Sequence, residues 1–286
     1  MSTAPSSSSP SSSARVGVVT GAASGIGLAI SKHLISQGWR VALADIDEAG
    51  GLSALATLPG DSAIFIRTDV SSWDDQAALF KAAWDKWGRI DFHAANAGIA
   101  DREQMFGPTG VPGDESTPRK PNVQTIEVDL LGPVYGTWLA VHYFRRNPGS
   151  GGRVVITSSP AGLYPMAQQP QYAAAKHALV GFTRSMGPNL LGENITVNTI
   201  LPGFVATSLA PKELLAVWPE KHTTPMSTIL KAYDLFINDG TKTGLCGECS
   251  VEEIYMRPVL DYPDESQRWI GVESMKLWDK AYGVEK

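Results

Sequence analysis

Cysteine is nearly missing from this chain of 286 residues: only Cys246 and Cys249 occur, too few for a disulfide framework. Their Cys-Gly-Glu-Cys spacing is formally a metal or redox half-site. A structural zinc site needs a second ligand pair at motif spacing, and the sequence offers none, so no metal is expected. No apolar run approaches the roughly twenty residues of a membrane-spanning helix. An excess of positive charge is missing as well. Lys and Arg number 24 against 29 Asp and Glu, a formal net charge of −5, which provides no basic surface for nucleic acid. The first fourteen residues, ten of them Ser or Pro, cannot bury a core and read as a disordered tail. They lack the apolar centre of a secretory signal and the several arginines of a mitochondrial presequence, so the expected location is cytoplasmic.

What is present is a chain that is 43% hydrophobic and 19% charged, enough for one large core. Strand-like and helix-like patterns alternate from Val16 to about Val205, with one late strand expected near Cys249 to Tyr255. Such alternation predicts an α/β fold with a doubly wound parallel sheet and helices on both faces, in a single domain over residues 15–286.

At the first strand-to-helix junction stands Thr20-Gly21-Ala22-Ala23-Ser24-Gly25-Ile26-Gly27. Glycines there let backbone N–H groups approach a pyrophosphate at the positive end of a helix, although a lone glycine turn occurs in any α/β protein. The second strand, from Trp39 to Ala44, ends in Asp45. A carboxylate at that point hydrogen-bonds the ribose hydroxyls and repels a 2′-phosphate. No Arg or Lys stands in the loop or directly after Asp45, so NAD is favoured over NADP.

Further on, Tyr172 and Lys176 are four apart and so share one helical face. An unperturbed phenol, with a pKa near 10, is no base at neutral pH, and a neighbouring ammonium favours its phenolate. Ser159, thirteen residues earlier, closes the strand-like run Arg153 to Thr157, where its hydroxyl can steady a substrate oxygen. By itself a Tyr and a Lys at this spacing is also a common surface pair.

Taken together these motifs resemble the short-chain dehydrogenase/reductase family over nearly the whole chain from Arg15. The family's T-G-x-x-x-G-x-G matches Thr20 to Gly27, and its adenine-contacting pair matches Asp69-Val70. Its N-A-G element matches Asn96-Ala97-Gly98, and its Ser-Tyr-Lys set matches Ser159, Tyr172 and Lys176. Its P-G-x-V-x-T turn, which embraces the nicotinamide in relatives, matches Pro202, Gly203, Val205 and Thr207. The stretch Ala161 to Pro170 and on to Arg184 is similar to the NAD-dependent hydroxyprostaglandin dehydrogenase branch.

The resemblance implies cofactor contacts from Gly21, Ser24, Gly25, Ile26, Gly27, Asp45, Asp69, Val70, Asn96, Gly98, Tyr172, Lys176, Pro202, Gly203, Val205 and Thr207. It also implies oxidation of a secondary alcohol, or reduction of the matching ketone, on a partly apolar small molecule. Tyr172 would be the base, Ser159 would orient the oxygen, and Lys176 would lower the Tyr172 pKa while holding the ribose. One position departs from the pattern: Asp129 stands where the family carries an Asn, which makes it a fourth candidate catalytic residue. That departure leaves open a non-redox enzyme of the same fold, catalysing dehydration, epimerisation or cyclisation, with a dinucleotide-sensing non-enzyme as a further alternative. Two segments fall outside the alternation. Ala100 to Gln124, rich in Gly and Pro, borders the active-site mouth or is a plain surface excursion. Residues 204–239 are expected to cover the substrate, with Leu209, Leu214, Leu215, Val217, Trp218 and Met226 as apolar lining or packing. Family members pair through the helices that here begin near Gln124 and Tyr172. The apolar Val134, Trp138, Leu139 and Val141 accordingly predict a homodimer or homotetramer.

Overall fold

Strand β1 (Val16–Thr20) is wholly buried, and its apolar, β-branched run suits a sheet covered on both faces. The computed structural model describes residues 14–107, 119–149 and 151–283. Nearly all of the Ser/Pro-rich tail, residues 1–13, and the middle of the Gly/Pro-rich excursion, residues 108–118, thus lie outside the described residues. From β1 the chain runs through α1 (Gly25–Ser36), β2 (Arg40–Asp45), α2 (Glu48–Ala56), β3 (Ala63–Arg67), α3 (Trp73–Trp87) and β4 (Phe92–Ala95). Then follow α4 (Gln124–Ile126), a π turn (Glu127–Leu131), α5 (Gly132–Phe144), β5 (Gly152–Thr157), α6 (Pro170–Leu190) and β6 (Ile195–Pro202). Next come α7 (Lys212–Val217), α8 (Met226–Asn238), β7 (Cys246–Ser250) and β8 (Glu253–Met256).

The strand order is β3-β2-β1-β4-β5-β6-β7-β8. Pairing is parallel from β3 to β7, and β8 runs antiparallel to β7. The chain winds outward from β1 in one direction and then restarts at β4 on its other side. This leaves a crevice beyond the carboxyl ends of β1 and β4, where such sheets bind ligands. One core packs Leu79, Phe80, Leu139, Phe144 and Leu179 from α3, α5 and α6 on one face of the sheet. A second packs Ile30, Leu34, Ile229, Tyr233 and Phe236 from α1 and α8 on the other. The α/β, doubly wound architecture read from the sequence is the one observed.

The structure corrects one detail. The single late strand expected near 249–255 is a hairpin of β7 and β8, turned at Val251, whose φ is +52°. Neither Gly nor Asn marks this turn, which hides it from sequence reading. In addition, the chain divides into two units, residues 1–256 and 257–286. The second contains α9 (Glu265–Gly271) and α10 (Met275–Tyr282). Within it Arg268 pairs with Glu265 and Glu273 at 2.7 Å, and Trp278 stacks on Tyr282.

Candidate active site

The glycine-rich loop joins β1 to α1 with Gly21 and Gly25 at φ +65° and +52°, a region that favours glycine. A Cβ on Gly27 would lie 2.1 Å from the Gly21 carbonyl oxygen, so the loop folds onto its own helix. Ser24 caps α1 without a side-chain bond, and the first turn of α1 carries no acidic residue. Its N–H groups have no carbonyl one turn earlier in the helix, a donor arrangement that fits a pyrophosphate. Asp45 lies beside this loop at the end of β2, accepting from Ala23 N–H and Asp47 N–H at 3.0 Å each. Its register partner on β3 is Arg67, whose guanidinium lies 3.6 Å from Asp75.

The other cofactor candidates gather on the same edge. Asp69 Oδ1 accepts from Ser71 N–H and Oγ–H, while the Val70 carbonyl accepts from Gln76 at 2.6 Å. Asn96 proves to be a brace: its N–H and Nδ2 donate to Thr20 at 3.0 Å, and its Oδ1 accepts from Thr157 at 3.1 Å. Gly98 is the point of closest approach to the buried ion pair, for a Cβ there would lie 3.1 Å from Asp129 Oδ2 and 3.2 Å from Lys176 Nζ. Beyond Pro202, Gly203 N–H donates to the Cys249 carbonyl at 2.8 Å. The turn then carries Val205 onto the core and returns to the glycine loop. There Thr207 faces Gly25, and the Ser208 and Ser24 hydroxyls are 3.2 Å apart.

Tyr172 and Lys176 lie within the first two turns of α6, with the Lys176 ammonium 5.2 Å from the centre of the Tyr172 ring. Ser158 Oγ donates to the Lys176 carbonyl at 2.9 Å and so holds the end of β5 against α6. Next to it Ser159 Oγ accepts from Ala161 N–H at 3.2 Å, which leaves its own proton free to be donated. Lys176 Nζ donates to the Thr157 carbonyl at 3.2 Å and lies 3.0 Å from Asp129 Oδ2. Asp129 is fully buried, and Lys176 is 3% exposed. The π turn brings Asp129 to this point, and Ile99 N–H donates to its second oxygen at 2.8 Å. Burial works against the ammonium, yet Asp129 and Tyr172 together outweigh it and raise the Lys176 pKa. At Asp129 burial prevails over the attraction of Lys176 and raises the carboxyl above its ordinary value. The four catalytic candidates, Ser159, Tyr172, Lys176 and Asp129, thus converge on the carboxyl edge of the sheet.

Three residues to which the sequence reading gave no role of their own hold the site together. Thr20 ties β1 to β4, donating to the Ala94 carbonyl and accepting from the Asn96 and Ala97 amides. Tyr233, buried on α8, meets Thr157 Oγ at 2.7 Å, and burial pushes its phenol well above the ordinary range. Asp101 accepts from the first free amides of α6. Beside them opens a cleft of about 250 Å³ lined by Asp101, Arg102, Glu103, Gln104, Gln168 and Gln169, so the start of the excursion packs against the beginning of α6. In the 204–239 segment Leu209, Leu214 and Val217 are exposed, Trp218 stacks on Phe204 at 3.8 Å, and α8 packs in the core. The two cysteines lie buried on β7, where burial raises the Cys246 thiol and pushes Cys249 up to about 12. Among the described residues no three His, Cys, Asp or Glu converge as a metal site, and no helix is long and apolar enough to cross a membrane.

Comparison with known proteins agrees with this geometry. The short chain dehydrogenase family model matches residues 15–216. The chain is 37% identical over 254 residues to the short-chain dehydrogenase/reductase prx6 of Penicillium rubens, covering 84% of each chain. To the 15-hydroxyprostaglandin dehydrogenase [NAD(+)] of Rattus norvegicus it is 33% identical over 242 residues, 81% of this chain and 84% of the relative. The crystal structure of levodione reductase superposes with a TM-score of 0.71 at 26% identity, covering 82% of this chain and 96% of the other. Motifs, strand order and relatives converge: the chain belongs to the short-chain dehydrogenase/reductase family, a family of oxidoreductases that use a nicotinamide dinucleotide.

Proposed function

We propose that this protein is an NAD-dependent oxidoreductase that interconverts a secondary alcohol and a ketone on a partly apolar small molecule. The observation that carries the reading is the placement of Tyr172 beside a buried ammonium, Lys176, which Asp129 and the Thr157 carbonyl hold in place. In oxidation Tyr172, as the phenolate beside the Lys176 ammonium, takes the proton of the substrate alcohol and becomes the neutral phenol. Ser159 donates to the substrate oxygen and orients it. When bound, the nicotinamide supplies the hydride acceptor or donor.

The residues present suit a dinucleotide without a 2′-phosphate. The loop from Gly21 to Gly27 offers backbone donors, Asp45 stands as an acceptor beside them, and Arg67 is directed to Asp75. The NAD(+) in the name of the rat relative supports the same choice. The exposed Leu209, Leu214 and Val217, with the Phe204–Trp218 stack, support an apolar portion in the substrate.

The test is to screen alcohols and ketones with NAD and with NADP, following nicotinamide absorbance, and then to compare Tyr172→Phe on the best substrate. NAD should bind at least about tenfold more tightly than NADP, about 1.4 kcal/mol. Turnover in Tyr172→Phe should fall about a hundredfold or more with NAD binding retained. Equal turnover in wild type and variant would remove Tyr172 as the base.

A further inference from the structure

Helix α6 carries Tyr172 and Lys176 but has no cap of its own. Gln169 occupies the cap position without a side-chain bond, and Pro170 has no N–H. The next two amides, of Gln171 and Tyr172, both donate to Asp101, at 3.0 Å to Oδ2 and 2.7 Å to Oδ1. Asp101 belongs to the loop leaving β4, so the cap arrives from a different element. Two residues earlier in that loop, Ile99 N–H donates to Asp129, the carboxylate paired with Lys176. One short segment therefore grips Tyr172 through its amide and Lys176 through Asp129. Gln171 fastens the same corner by donating from Nε2 to the Asn122 carbonyl at 2.8 Å.

We propose that Asp101 is a positioning residue for Tyr172, whose two-oxygen grip on the start of α6 sets where the phenol meets the substrate. The inference rests on the reading of Tyr172 as the base. Asp101 also places a negative charge at the positive end of the helix, close to the group that must lose a proton. Among the described residues, the charged groups on the elements that meet here include Lys176 on α6, Asp129 on the π turn, and Arg102 and Glu103 further along the Asp101 loop. Glu103 is paired with Arg119, and His177, next on α6, bonds the Ala173 carbonyl at 2.9 Å. Removing the Asp101 charge leaves Lys176 and the helix end less opposed.

The experiment compares wild type, Asp101→Asn, Asp101→Ser and Tyr172→Phe on one alcohol with NAD. It records kcat and KM across pH, NAD affinity by titration, and amide hydrogen exchange at the start of α6. Both Asp101 variants should lose about tenfold or more in kcat, with NAD affinity changed by less than about threefold. The acid limb of their oxidation profile should move to lower pH, and the Gln171 and Tyr172 amides should exchange faster. Ser, a short neutral cap, should restore part of the exchange protection but not the position of the acid limb. Wild-type kcat and an unmoved profile in both variants, or an effect confined to melting temperature, would overturn the inference while an inactive Tyr172→Phe leaves the base reading standing. Full turnover in Tyr172→Phe would overturn both.

Discussion

At the scale of single residues, the Asp129–Lys176 pair is the least ordinary feature of the site. An ion pair this buried depends on both partners, since removing one leaves the other uncompensated. Asp129→Asn keeps shape and one acceptor oxygen while deleting the charge. Lys176 retains the Thr157 carbonyl as an acceptor. Activity should therefore persist, with the pH–rate profile of oxidation moved by less than about one unit. Complete loss of activity would assign the carboxylate a chemical role of its own and make the non-redox reading the leading one. His93 supports a different prediction. It is fully buried on β4 with Nδ1 3.1 Å from the Val18 carbonyl, and burial lowers its pKa to about 4. The unfolded chain takes up this proton near pH 6.5, whereas the folded chain refuses it until about pH 4. The contribution is thus fully present above 6.5 and lost as pH falls toward 4, amounting to about 3 kcal/mol. Urea titrations at pH 7 and pH 4.5 should show a smaller difference for His93→Gln than for wild type; identical differences would exclude His93 as the source.

At the scale of elements, the junction between β1 and α1 is tight enough to make a sharp prediction. An added Cβ at Gly27 would meet backbone, 2.1 Å from the Gly21 oxygen, and Asn96 Nδ2 at 2.8 Å. Backbone cannot step aside as a side-chain tip can, so Gly27→Ala should cost about 1–3 kcal/mol of stability and weaken NAD binding about tenfold or more. Calorimetric titration and thermal melts check both; unchanged NAD affinity would refute the role given to this loop. The loop was legible in the sequence because glycine is required by backbone geometry, which leaves a trace at fixed spacing. The parallel sheet was legible because buried strands such as β1 and β6 read as apolar runs. The contact between the excursion and α6 was not, because a cap supplied from seventy positions away carries no local pattern. Its only trace was negative: α6 begins with Gln169 and Pro170 where a self-capped helix would show Ser, Thr, Asp or Asn. The π turn was hidden for a related reason, since one extra residue in a helical turn changes the direction of Asp129 without changing the apolar pattern around it.

At the scale of the whole molecule, the structure sharpens the expectation of self-association through α5 and α6. Of the apolar residues expected to face a partner, Leu139 and Val141 are 7% and 5% exposed and belong to the protomer's own core. Trp138 is different, for it is 67% exposed. With Leu131, 36% exposed, and the half-buried Tyr135, it forms a stripe at helical spacing, and Trp73 packs edge-on against Tyr135. Helix α6 turns Ala174, His177, Gly181 and Ser185 outward, mostly small side chains that let a second backbone come close. Covering the exposed two-thirds of one tryptophan contributes about 3 kcal/mol, and a two-fold axis applies that gain twice. A four-helix contact of this kind would bury roughly 1,200–2,000 Å² in total, the size of a stable interface. We therefore expect a homodimer or homotetramer whose central contact includes Trp138. In Trp138→Glu each charge would meet its own symmetry mate in an apolar setting, so light scattering at micromolar concentration should report a smaller assembly than wild type, with NAD binding retained. Wild-type protein that scatters as a monomer at that concentration would refute the interface, and an unchanged assembly in Trp138→Glu would move it to another face of the molecule.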